Sequence, residues 1–419
     1  MTVLFKMLNS ILSKLFLNRC SYPFVSVPIQ AQKLLYRIDN SRISHSFSSF
    51  IRFGSFRTSL VLKDSSFSYF LSSVVHSSRV ELFNQVVNTQ RVFEVRDLIS
   101  VSSCTFALCS SSNHGGAILV EESASRPEMN ISESGFTKCS APHGGAMFVF
   151  LSSFYLTKCC FFSCSATSSS HVCYINTNDR HLSKFEQLLI VSCPSESVRV
   201  PSCVVAVSSR HDFNQFNSTQ NRLSSYASCV TFVQTYSFYL EFFIITNSTG
   251  ITSIHCDNSP FGRLSHGFIF KNWFYFSPFS ASHKNNDKTF ITMYRVQFIN
   301  NKAGNLKNIG FDNSIIALNI AMCELDEGYS KFFLYNYTLT LNNQPDYVVI
   351  TPLARTMWHS DICAVIPTQI QTNSSSSWLY IMLGGSFVCI LVGAFIALKV
   401  YQKRNAAFEL WLLNQTIES

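Results

Sequence analysis

Three histidines and a run of cysteines are the residues of this chain whose types and spacing invite chemistry. His114, His143 and His171 stand in corresponding places of three similar segments, with Cys173 two residues beyond the last. Imidazoles aligned along one edge, with a thiolate beside them, would offer zinc the nitrogen and sulfur ligands it takes. Their spacing matches no metal-binding signature, and a polar turn residue in a repeat lines up whatever its role. No metal and no other cofactor is therefore expected, and Cys159, Cys160 and Cys164 read as structural.

Acid–base chemistry finds even less to work with. Hydrolysis of a glycosidic bond needs two carboxylates at a set separation, and lyases of sugar acids usually need an acidic calcium site with a base. Here the 24 Asp and Glu residues are dispersed, with no Asp-Asp pair. Asn176-Thr177-Asn178-Asp179 and Ser265-His266-Gly267 faintly resemble polygalacturonase elements, but the carboxylate pair between them is missing and their separation is too long. There is no phosphate-cradling glycine loop, no zinc-protease helix signature and no G-x-S-x-G elbow. His211-Asp212 reads as a solvated turn. No catalytic residue is assigned, and the expected protein is not an enzyme.

The elements around these residues carry the stronger signal. Cys104 to Val120 reads CTFALCSSSNHGGAILV and Ser134 to Phe150 reads SGFTKCSAPHGGAMFVF. Both hold F-x-x-C (Phe106 to Cys109, Phe136 to Cys139), a polar turn, then H-G-G-A (Gly115, Gly116, Ala117 and Gly144, Gly145, Ala146) and an apolar strand. A decayed third copy keeps Phe161, Cys164 and His171 but replaces the glycines with Val172 and Cys173. Beyond it only short alternating runs recur: LLIVSC ending at Cys193, SCVVAV from Ser202, FFIITNS from Phe242, VQFINN from Val296 and NSIIALNIA from Asn313. Val, Ile and Phe runs of this length, bounded by Ser, Asn or Gly and without helical periodicity, predict strands. A repeat of about 20–30 residues is one unit that hides its apolar face only against its neighbours, so the expected fold is all-β and solenoidal. Equivalent phenylalanines would then stack at about the 4.8 Å strand spacing. That spacing permits disulfides between Cys109, Cys139 and Cys164, and it suits a ladder of reduced buried thiols equally well.

G-G-A-[ILMV] combined with F-x-x-C or F-x-x-N resembles the repeats of chlamydial polymorphic membrane proteins and related surface proteins of trichomonad protists. Gly115 to Ile118 and Gly144 to Met147 carry the first element, and Phe298-Ile299-Asn300-Asn301 the asparagine form of the second. The match covers roughly residues 100–175, with a faint extension to about 365. The resemblance implies a right-handed parallel β-helix, the pectin lyase-like fold, and a role in adhesion or surface recognition of a protein or glycan ligand. Chlamydial members end in a translocating β-barrel, whereas this chain carries one apolar segment near its C-terminus, which favours the protist arrangement.

Composition agrees with an exported protein. Charged residues make up 13% of 419, about half the usual share, and Ser, Thr and Asn fill the gap. The net charge of +8 gathers near the N-terminus, where nine Lys and Arg up to Lys63 face only Asp39, and no basic run interleaved with aromatics points to nucleic acid. Eleven of the 15 cysteines fall between Cys104 and Cys256, fitting an oxidising compartment. Asn130, Asn217, Asn247, Asn336 and Asn373 head Asn-x-Ser/Thr sequons.

Trp378 to Leu398 holds 21 residues without a charge, enough at about 1.5 Å per residue to cross a bilayer core of about 30 Å. Lys399, Lys403 and Arg404 follow, which places the C-terminus in the cytosol and the N-terminus outside a plasma membrane crossed once. Gly385, Cys389, Gly393 and Ala397 make a stripe of small residues through which two copies could dimerise. The expected organisation is a basic, atypical signal segment at 1–45, a β-helical ectodomain at 46–366, a Ser/Thr/Asn stalk at 367–377, the transmembrane helix at 378–398 and a tail at 399–419. Glu409 and Leu412-Leu413 in the tail resemble an acidic dileucine sorting signal. Two alternatives follow from these readings, a carbohydrate-active enzyme on the same scaffold and a trafficking receptor.

Overall fold

The computed structural model describes residues 34–53, 58–77, 98–120, 127–177, 181–194, 202–223, 228–282 and 288–303, with further strands at 11–13, 16–18, 25–27, 309–312, 315–321, 324–325 and 337–342. Every described element is a strand, and the strands pair in parallel from one end to the other. Two sheets dominate the described residues, one of nineteen strands and one of eleven. The fold is a parallel β-solenoid, as the repeat predicts. The chain divides into two compact units, Met1–Cys363 and Ala364–Ser419; the solenoid belongs to the first, and the second lies outside the described residues.

The described coils contribute between two and four strands each, and the joints explain why so short a unit can wind. In one coil a single strand, Ser153–Phe162, bends at Lys158, whose φ is 52°, and Cys173–Thr177 closes the turn. One coil earlier the same path is split into Glu128–Ser132 and Gly135–Thr137 around Glu133 at φ 49°. Asp64, Ser103, Gln187, Gln215, Phe242, His266 and Arg295 occupy the equivalent corner, all at positive φ. The left-handed region costs an L residue about 1–2 kcal/mol. That cost is offset because the turn leaves no donor orphaned: the Asp64, Ser103 and Glu133 N–H groups donate to Ser102, Ser132 and Thr157 carbonyls of the next coil. The ladder thus runs round the corner unbroken.

Inside the coils equivalent residues stack. Phe67, Phe106, Phe136 and Phe161 are fully buried, and their successive rings lie 5.3, 4.9 and 4.9 Å apart. Burying each ring is worth roughly 2–3 kcal/mol, and the offset of one coil keeps the rings in the stacked geometry. In the second half Phe185 and Phe213, in register on adjacent coils, stack at 4.0 Å, and Phe213 meets Phe232 of the other sheet edge-on, which in turn stacks on Phe238 at 4.2 Å. The five short runs singled out above as strands fall within Leu182–Val191, Ser202–Val207, Ser237–Thr246, Lys288–Ile299 and Ile315–Ala321, the outer residues of some runs lying just past the strand ends.

The two glycines of H-G-G-A have different tasks. Gly115 and Gly144 sit at φ 53° and 62°, where glycine pays no steric penalty. A Cβ on Gly116 would strike the Gly145 carbonyl, and one on Gly145 the carbonyls of Ser165 and His171. The first glycine makes the turn and the second lets adjacent coils touch. Among the described residues no helix is long and apolar enough to cross a membrane; residues 378–398, with Gly385, Cys389, Gly393 and Ala397, lie outside them.

Candidate functional site

Cys109, Cys139 and Cys164 form one buried column, fixed by the parallel pairing of Ser110 with Ser140 and of Ser140 with Ser165. None of the three is in a disulfide. Each thiol points back at the carbonyl of the phenylalanine one coil earlier: Cys109 at Phe67 (3.8 Å), Cys139 at Phe106 (3.5 Å), Cys164 at Phe136 (3.6 Å). Cys193 extends the column, its sulfur accepting the Cys164 N–H at 3.2 Å. Asn221, Ser248, Asn272 and Asn301 then take over the position: Asn221 accepts the Cys193 N–H at 2.8 Å, and Asn301 donates to Ile269 at 2.6 Å. A thiol and a carboxamide can each donate one way and accept the other, which is why F-x-x-C and F-x-x-N are interchangeable here.

This column is architecture. Burial, and then the neighbouring thiols, hold Cys139 and Cys193 well above the ordinary thiol range. Burial likewise pushes Cys104 and Cys159 up to about 12. Those four thiols stay protonated and are poor nucleophiles and metal ligands, whereas at Cys164 burial is opposed and outweighed by hydrogen bonds from Cys139 and Cys193, which lower its pKa.

The histidine row divides. His114 and His143 pair across adjacent coils with rings 4.8 Å apart, and His114 stacks on Phe148 at 4.5 Å. His171 does not join them. Cys173 is in register with Met147, so a turn two residues shorter puts His171 level with Gly145 and its ring in the core. There its Nδ1 accepts the Ala166 N–H at 3.0 Å, and burial lowers its pKa to about 4. His211, read above as part of a solvated turn, is also wholly buried, with Nε2 2.6 Å from the Ser208 carbonyl. It lies in a strand whose alternation sends it inward beside Phe213. Among the described residues no three His, Cys, Asp or Glu side chains gather as a metal site would need.

The outward positions of strands 210–219, 237–246, 261–270 and 288–299 and the turns beside them carry exposed aromatic and charged side chains. Tyr236 is 66% exposed, and Phe261 and Phe290 are stacked 5.7 Å apart and also exposed. Arg210 lies over the Tyr239 ring at 4.6 Å and meets Asp212 at 3.3 Å, while Arg263 faces Glu241 at 4.0 Å. His266 is sandwiched between Phe242 and Tyr294, its pKa lowered by burial and then by Arg295. Trp273 and Tyr275 add two more exposed rings, 6.4 Å apart. Parallel pairing places the groups of strands 210–219, 237–246, 261–270 and 288–299 on consecutive coils, so those rings and charges sit on a rigid strand surface, whereas Trp273 and Tyr275 lie at a separate three-stranded sheet. Sequence reasoning missed this strip because its residues come from four coils with no shared motif; the clustering of Phe and Tyr between 236 and 294 was the available signal.

Of the sequons, Asn130 and Asn247 are exposed and Asn217 is buried with neither amide atom bonded. Asn336, Asn373 and Asp179 lie outside the described residues. The chain matches no protein-family profile, no curated protein and no solved structure.

Proposed function

We propose that this is a single-pass plasma-membrane protein, its solenoid winding right-handed outside the cell and 378–398 crossing the bilayer, and that it recognises glycans without turning them over. Right-handed winding is the hand that parallel strand connections take almost without exception. The observation that carries the recognition role is the strip of Tyr236, Phe261 and Phe290, three exposed rings on consecutive coils beside Arg210, Asp212, Glu241 and Arg263. Exposed aromatics grouped in this way mark binding surfaces. A sugar chain presents apolar C–H faces to stack on rings and hydroxyl edges to meet guanidinium and carboxylate groups. Asp212 and Glu241 each face an arginine, so carboxylate acceptors and guanidinium donors stand side by side for the hydroxyls of a sugar.

The full-length protein in detergent, tested on immobilised polysaccharides, should bind a subset and release no fragments. The triple variant Tyr236→Ser, Phe261→Ser and Phe290→Ser should lose that binding while keeping its thermal transition. Depolymerisation of any polysaccharide, or equal binding by the variant, overturns the reading. Accessibility of N- and C-terminal tags on intact cells tests the topology separately.

A further inference from the structure

Trp273 and Tyr275 belong to a surface apart from the strip. Each is 61% exposed, and they alternate with Asn272 and Phe274, which are buried. The platform beneath them is stiff: Asn272 bonds to Ile245, Ser248 and Asn301, and the Trp273 and Tyr275 N–H groups donate to the Ser248 and Gly250 carbonyls. An exposed aromatic alone means little. What surrounds this pair is the informative part. Strand register sets Lys302 one spacing from Trp273 and Arg222 two spacings away on the other side, about 5 and 10 Å. Lys271, two residues before Trp273, completes a set of three cations, all exposed.

None of the three pairs with a described carboxylate, and residues 221–223, 247–251, 271–277 and 300–303 hold no Asp or Glu. The strip differs in this respect, since its arginines stand beside Asp212 and Glu241. Mixed charges suit neutral hydroxyls, whereas unopposed cations call for an anion. Shape narrows the choice further. The two-residue strands 249–250, 273–274 and 302–303 each lie where the chain passes from the nineteen-stranded sheet to the eleven-stranded one. They form a convex edge of the coil, and a convex edge meets a plane better than it encloses a chain. Trp and Tyr gather at membrane–water interfaces, and each Lys or Arg beside an anionic leaflet strengthens binding about fivefold.

We propose that Trp273, Tyr275, Lys271, Lys302 and Arg222 dock on an anionic phospholipid surface, the two rings entering the headgroup layer and the three cations pairing with phosphate and carboxylate groups around them. This surface is separate from the glycan strip, so neither reading rests on the other.

The test is vesicle flotation of the full-length protein, held in phosphatidylcholine nanodiscs and prepared without N-glycans because Asn247 borders Lys271 one coil back. It should float with vesicles that are one-quarter phosphatidylserine and not with vesicles of phosphatidylcholine alone, and high salt should release it. Lys271→Gln and Lys302→Gln should each weaken binding about fivefold, and Trp273→Ser about tenfold, with thermal transitions unchanged. The triple variant Tyr236→Ser, Phe261→Ser and Phe290→Ser should float as the parent does. No flotation, equal flotation with neutral vesicles, or flotation indifferent to the substitutions at Lys271, Lys302 and Trp273 overturns the proposal and leaves the strip untouched. Capture on heparin beads without flotation overturns the lipid occupant and points to a sulfated polysaccharide instead.

Discussion

The carboxamide of Asn272 donates to the carbonyl of Ile245, one coil back, at 2.9 Å, and its oxygen accepts the N–H of Ser248 at 2.9 Å. One side chain therefore stitches two coils twice. Asn272→Ala would leave a buried carbonyl and a buried N–H without partners, at about 1–3 kcal/mol for each group. Chemical denaturation should show a loss of about 2–4 kcal/mol in sum, with Asn272→Ser intermediate because Ser248 holds the same position one coil earlier. A variant as stable as the parent would show that the ladder is incidental to coil stacking.

That column also shows where sequence stops being readable. Phe106, Phe136 and Phe161 with Cys109, Cys139 and Cys164 announce a repeat because the whole F-x-x-C block survives, and from it the solenoid follows. Further along, the same inner positions pass to Ile190 and Cys193, then Ser218 and Asn221, then Ile245 and Ser248, and identity vanishes while the bonding role persists. The coil length drifts as well, from 24 residues between Ile43 and Phe67 to 39 between Phe67 and Phe106. Only register, which needs the backbone, recovers the alignment. His171 illustrates the hazard: letters align it with His114 and His143, whereas strand pairing aligns it with Gly145. The exposed aromatic strip was illegible for a related reason, since outer positions are free of the packing that makes inner ones repeat.

Gly267 is in register with Phe243, and Gly262 with Phe238. A Cβ on either glycine would run into the neighbouring phenylalanine ring. Both glycines exist to leave room for a ring one coil away. Gly267→Ala should cost about 1–3 kcal/mol by overpacking. Adding Phe243→Leu should return part of the loss, so the double-mutant cycle should show a coupling well above experimental error. Strict additivity would mean that the ring and the glycine do not share the space.

Sequon use should follow burial. Asn130 and Asn247 are exposed and Asn217 is buried. In a eukaryotic secretory host, glycopeptide mass spectrometry should find glycan on the first two and none on Asn217. Full occupancy of Asn217 would require the outer face of its strand to be open.

Acid should weaken the fold through two histidines held neutral in the core. His171 and His211 both have pKa values lowered to about 4 by burial. Protonation of either ring creates a buried charge: Nδ1 of His171 already accepts an N–H, and at His211 burial outweighs the support of the Ser208 and Val207 carbonyls. Unfolded, each histidine titrates near 6.5. Between that value and about 4 the unfolded chain therefore binds more protons than the folded one, and stability falls as pH falls. The contribution of each neutral ring is fully present above pH ~6.5 and is progressively lost below it, by about 2 kcal/mol per ring at pH ~5. Thermal unfolding measured from pH 7 to pH 5 should show this decline, and His171→Gln and His211→Asn should each flatten it by about half of the two-ring effect. An unchanged transition across that range would mean that both rings accept protons while folded, and that the coils open locally around them.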